Sequence, residues 1–168
     1  MNKYFRFTTF ALLCNIFYSS ETNNLDILNF NINGFGKIIS GCDIKKKVSL
    51  IADNIINYDI ILIQENWKHT DLFKNKLDNY QLFSSADKKN FFSKSSGLLI
   101  AINKDIDIIN NEHILYNDCN GIIINGSDCL ASKGFVLSRI KYFNRTIDIY
   151  NTHLDAGYSK KDYKVRIN

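Results

Sequence analysis

Four apolar residues in a row, Ile60-Ile61-Leu62-Ile63, followed at once by Gln64-Glu65, constrain this chain more than any other stretch. The run does not alternate, so a strand here is buried on both faces. Such a strand needs a cover layer on each side. A chain of 168 residues is long enough to supply both, removing roughly 70% of its unfolded surface from water. The flanking pattern agrees. Residues 25–32 alternate and run into Asn33-Gly34-Phe35-Gly36, a strand entering a turn. Asp43 is placed to cap a helix over 44–56, with Val48, Leu50, Ile51 and Ile55 apolar, and Tyr58-Asp59 ends it.

Further along, 72–77 reads as a short helix and 80–83 as a strand. Residues 97–102 and 106–109 read as strands split by Asn103-Lys104-Asp105. Residues 135–142 and 146–150 read as a hairpin turning at Phe143-Asn144-Arg145. Strand, helix, strand, then mostly strand predicts an α/β layered protein with mixed sheets. The chain has 0 Pro, and beyond residue 25 it has no linker, repeat or shift of composition, so 25–168 reads as one domain. A hydrophobic share of 45% against 23% charged excludes a disordered chain. Ile, Asn and Lys together fill 64 of the 168 positions, the bias of an AT-rich coding sequence, so a single Asn or Lys carries little weight. The net charge is +4, and the longest like-charge run is Lys45-Lys46-Lys47. That suits a solvated surface first, with nucleic acid or an anionic membrane surface the alternative partner.

Residues 1–20 have the layout of a secretory signal peptide: Lys3 and Arg6, a mostly apolar stretch over 7–18, then Ser19-Ser20. A buried first strand or helix is the alternative. The apolar run is short for a membrane span. The cysteines Cys14, Cys42, Cys119 and Cys129 lack zinc spacing. Export would leave three, of which Cys119 and Cys129, ten residues apart, form the natural disulfide pair.

Four places could carry chemistry. Glu65 leaves an apolar strand at its C-terminal end, the edge where open sheets place ligands. A carboxylate there is costly unless paired or holding a cation, and Mg²⁺ suits it; a helix cap or a pair with Lys68 would also satisfy it. Asn31, at the end of its own strand, could orient that carboxylate or donate to phosphate. His153, in Asn151-Thr152-His153-Leu154, could hydrogen-bond a phosphate oxygen or move a proton. Lys133, beside Gly134 and just before a strand, suits phosphate recognition. No Walker loop or dinucleotide fingerprint is present.

In combination these segments resemble the endonuclease/exonuclease/phosphatase superfamily, which has the deoxyribonuclease-like fold. The match runs from Phe30-Asn31 with Phe35-Gly36, through Gln64-Glu65, to Thr152-His153-Leu154. Asp128-x-Leu130-x-x-Lys133-Gly134-Phe135 is similar to bacterial-type neutral sphingomyelinases, as are Ser96-Gly97-Leu98-Leu99-Ile100 and Arg166. The resemblance covers residues 25–168. It implies that Glu65 binds an essential Mg²⁺ with Asn31 beside it, and that His153 contacts the scissile phosphate. It also implies that Asp128 and Lys133 belong to a loop tied to activity. The implied reaction is phosphodiester hydrolysis of the phospholipase C type on a phospholipid headgroup at a membrane surface, by a secreted protein. A nuclease of the same superfamily and a non-catalytic remnant are the alternatives.

The family pattern continues with Gly-Asp-x-Asn and a final Ser-Asp-His carrying the general base, and neither motif occurs here. The chain therefore reads as the N-terminal half of a truncated sandwich. Its expected activity alone is low, with a C-terminal half or a partner chain required.

Overall fold

The structure, a computed structural model, describes residues 24–34, 41, 43–85, 95–116, 133–154 and 159–167. Strand β1 (Ile27–Asn31) leads into helix α1 (Ile44–Asn54) and strand β2 (Ile60–Gln64). Helix α2 (Thr70–Lys74), strand β3 (Tyr80–Ser84) and strand β4 (Leu99–Asn103) follow. Strands β5 (Asp107–Leu115), β6 (Gly134–Tyr142) and β7 (Arg145–Thr152) precede helix α3 (Lys160–Ile167). The first four strands form one sheet in the order β1-β2-β4-β3, with β1 parallel to β2 and the other pairs antiparallel. The last three form a second, antiparallel sheet in sequence order. The layers agree with the pattern, with the first sheet mixed and the second antiparallel throughout.

All five residues of β2 are buried, because the strand is covered twice. On one side Ile61 and Ile63, with Leu99 and Ala101 of β4, pack against Val48 and Ala52 of α1 and against Phe73 and Leu77. On the other, Ile60 and Leu62, with Ile100 and Ile102, meet Val136, Ile140 and Ile149 of the second sheet. Each fully buried Ile or Leu is worth about 1.5–3 kcal/mol, so the strand with the plainest apolar run anchors both cores.

Helix α1 begins where Asp43 caps it: the carboxylate accepts from the backbone N–H groups of Lys45 (3.0 Å) and Lys46 (3.4 Å). The helix ends at Asn54, two residues earlier than its apolar pattern suggests. Two elements depart further from the sequence reading. Strand β5 continues six residues past 109, to Leu115, because β6 pairs with it as far as Leu115↔Gly134 across a bulge between Ile108 and Asn110. Helix α3 was not expected at all. Ser159 Oγ accepts from Asp162 N–H (3.2 Å), and Asp162 accepts from Ser159 N–H (2.8 Å), a reciprocal cap.

The leader at 1–20, all four cysteines and Asp128 lie outside the described residues. No described helix is long and apolar enough to cross a membrane.

Candidate functional site

The C-terminal ends of β1, β2, β3, β5 and β7 and the N-terminal ends of β4 and β6 share one edge of the sandwich. Glu65 sits there, one residue past β2, with φ +60. That left-handed conformation is uncommon outside glycine and costs about 1–2 kcal/mol. Strict alternation would have sent its side chain toward the helices with Ile61 and Ile63. The reversal turns it instead to Asn31, whose amide Nδ2 donates to Glu65 Oε1 at 2.9 Å.

Several contacts hold the reversal in place. Ile32 N–H donates to the Gln64 carbonyl (3.1 Å), and Asn66 N–H donates to the Gly97 carbonyl (2.8 Å). Gly34 lies so close to the Glu65 carbonyl that a Cβ there would collide with it. His69 Nε2 donates to the Gly34 carbonyl (3.0 Å), bracing that approach. Gly97, at φ +66, lies under the Trp67 ring, which an added Cβ would meet at 2.7 Å.

His153 follows β7 and brings its Nε2 to 3.8 Å from Glu65 Oε1, both side chains being largely buried. That gap is too wide for a hydrogen bond. Lys133 is buried at the start of β6, and its ammonium donates to the Leu154 carbonyl (3.3 Å), tying it to the segment that carries His153. Asn31, Glu65 and His153 thus come together from strands 34 and 88 residues apart in sequence, with Lys133 bound to the histidine's own segment. Neither alternative for Glu65, a helix cap or a pair with Lys68, is what forms: His69 N-caps α2 without a side-chain bond. Arg166 lies in the last turn of α3.

Beneath this edge lies an amide network that the sequence did not single out. Gln64 Nε2 donates to Asn29 Oδ1 (2.7 Å) and to Asn151 Oδ1 (2.6 Å). Asn151 Nδ2 donates in turn to the carbonyls of Ile63 (2.9 Å) and Leu99 (3.0 Å). The available signal was weak: one Asn among 22, at an inward position of an alternating strand. His113 also acquires a neighbour, Ser96 Oγ at 3.1 Å from its Nε2.

The donor set fits a hard divalent cation. Glu65 Oε1 takes the Asn31 amide, and among the described residues no group donates to Oε2. The Asn31 amide oxygen accepts from Asn33 N–H (2.8 Å) and keeps a second lone pair. No cluster of three or more His, Cys, Asp or Glu side chains surrounds the carboxylate among the described residues.

No protein-family model matches the chain, and no curated protein matches it by sequence. Solved structures do. The beta toxin of Staphylococcus aureus superposes with a TM-score of 0.66 at 17% identity, over 84% of this chain and 55% of the toxin. Sphingomyelinase C from Streptomyces griseocarneus gives 0.64 at 15% identity, over 83% of this chain and 53% of that one. TDP2 from C. elegans gives 0.60 at 15% identity, over 79% and 36%. The chain spans about half the length of the toxin and the sphingomyelinase, and about a third of TDP2. At these identities the likeness is one of architecture, and the chain has the deoxyribonuclease-like fold.

Proposed function

We propose that this edge of the sandwich is the metal- and phosphate-binding part of a Mg²⁺-dependent phosphodiester hydrolase of the phospholipase C type, acting on a sphingomyelin-like headgroup at a membrane surface. The observation that carries the reading is Glu65, turned out of β2 by a left-handed residue, held by Asn31 and facing His153 at 3.8 Å. The fold adds support, since a sphingomyelinase C is among the proteins that share it.

Glu65 would hold the cation, with Asn31 beside it. The bound cation would supply charge stabilisation at a phosphoryl oxygen. Asn31 fixes the carboxylate's orientation through its Nδ2 bond to Oε1. His153, when protonated, presents Nε2–H toward the same place and can donate to a phosphoryl oxygen as charge builds there. Lys133 holds the strand of chain after His153 through the Leu154 carbonyl. Asp128 joins them on the sequence motif alone. The leader-like residues 1–20 are the support for a secreted protein.

The test is Mn²⁺ binding to the full chain, followed by electron paramagnetic resonance, beside release of phosphocholine from sphingomyelin vesicles. Binding that Glu65→Gln abolishes, with metal-dependent phosphocholine release lost in the same variant, supports the reading. Binding indifferent to Glu65→Gln overturns it. Plasmid nicking without lipid hydrolysis would replace the lipid substrate with nucleic acid.

A further inference from the structure

We propose that Asn151 is a positioning residue whose carboxamide pins the end of β7 to the first sheet and so sets the separation of His153 from Glu65. The proposal rests on the site reading above and deepens it.

Asn151 is 2% exposed, on the inward face of β7, and lies two residues before His153. Its amide uses both hydrogens. One goes to the Ile63 carbonyl of β2 and the other to the Leu99 carbonyl of β4, and its oxygen accepts from Gln64. Gln64, 8% exposed, is the residue just before Glu65 and is itself fixed by Asn29 of β1. One carboxamide thus touches two strands of the opposite sheet; two of its partners, Ile63 and Gln64, stand two and one positions before Glu65, and Asn151 itself stands two before His153.

Elsewhere the sheets meet through apolar side chains such as Ile60, Ile100 and Val136, which resist separation but tolerate sliding. Hydrogen bonds are directional and fix register. Loss of this carboxamide would remove three buried hydrogen bonds between the sheets at once. The network therefore has one low-energy arrangement, and that arrangement places the imidazole beside the carboxylate.

The experiment reads the geometry without a metal. In the full chain carrying labelled His and Glu, a cross-peak from the nuclear Overhauser effect is expected between the His153 ring and the Glu65 γ protons. Asn151→Ala, still melting cooperatively, is expected to lose it. Ser138→Ala, which deletes a partly buried bond (2.6 Å to Asn111) within the second sheet, is expected to keep it. Any phosphocholine release that the chain shows is expected to fall about 100-fold in kcat with KM unchanged in Asn151→Ala, the scale of a misplaced catalytic group.

A cross-peak that survives Asn151→Ala overturns the proposal, whatever happens to turnover, and so does its absence from the unmodified protein. If Asn151→Ala fails to fold, Gln64→Ala decides. It keeps both carbonyl bonds, so a cross-peak weakened by half or more supports the proposal and one of full intensity overturns it. Loss of the cross-peak in a chain that shows no turnover at all would leave the positioning role standing and remove the catalytic reading.

Discussion

Every residue of β2 is buried, whereas β6, its counterpart in the second sheet, alternates, with Gly134, Val136, Ser138 and Ile140 buried and Arg139 and Lys141 exposed. The first sheet carries helices on one face and the second sheet on the other. Among the described residues the second sheet is covered on one face, and Tyr116, Phe135 and Tyr150 form a partly open aromatic cluster on the other, with ring centroids 6.2 and 5.6 Å apart. A doubly covered strand reads as a continuous apolar run and a singly covered one as alternation. The site draws on both: the doubly covered sheet supplies the carboxylate and the other supplies the imidazole. The carboxylate thus rests on the more rigid support.

The sharpest test of this contrast is truncation. Ile61→Ala, on the helix-facing side of β2, is expected to cost about 2–5 kcal/mol. Ile109→Ala, 55% exposed on β5, is expected to cost under about 0.5 kcal/mol. Equal losses in urea denaturation would break the distinction.

Next in size is the backbone at the site edge. Gly97→Ala forces a Cβ into the Trp67 ring at a left-handed position, and an expected cost of about 1–3 kcal/mol follows. Gly34→Ala pushes on the Glu65 carbonyl and is expected to weaken Mn²⁺ binding as well. Unchanged binding in a folded Gly34→Ala protein would show that the left-handed turn does not aim Glu65.

Smaller is the effect at Tyr80, at the start of β3. Its hydroxyl donates to the carbonyls of Ile56 (2.8 Å) and Tyr58 (2.6 Å). Burial first, and Asp59 second, raise its phenol above the ordinary value. Tyr80→Phe is expected to cost about 1 kcal/mol near neutral pH. Because the folded value is raised, the phenol's contribution is complete below the ordinary tyrosine range and is lost as pH climbs through the raised value. Ultraviolet titration of the wild type against Tyr80→Phe reads that delay.

The least effect is expected on the open face of the second sheet. Arg139 meets Asp148 with two bonds, of 2.6 and 2.7 Å. Hydrogen bonding to Arg139 holds the Asp148 carboxyl below its ordinary value. The folded value being depressed, the contribution is present above about pH 4 and fades as pH falls through the lowered value. Asp148→Asn should slightly flatten the fall in melting temperature on acidification, and no change would mark the pair as energetically silent.

Layering, the mixed sheets, the Asp43 cap and the place of Glu65 at a strand end were all legible in the residues, because each depends on local pattern: an apolar run, a capping side chain, a turn. The reciprocal cap of Ser159 and Asp162 is local chemistry of the same kind. The end of β5 was not, since Asn110-Asn111-Glu112-His113 is polar and is a strand because β6 lies beside it. The left-handed turn at Glu65 was equally hidden. Nothing local favours it, and it persists because Gly34, Gly97 and Asn31, distant in sequence, leave the chain that one path. Asn151 looked like any other asparagine of an Asn-rich chain until two carbonyls and a glutamine from the opposite sheet surrounded it. Local chemistry is written in neighbouring residues, whereas the distance between Glu65 and His153 is set by contacts across two sheets.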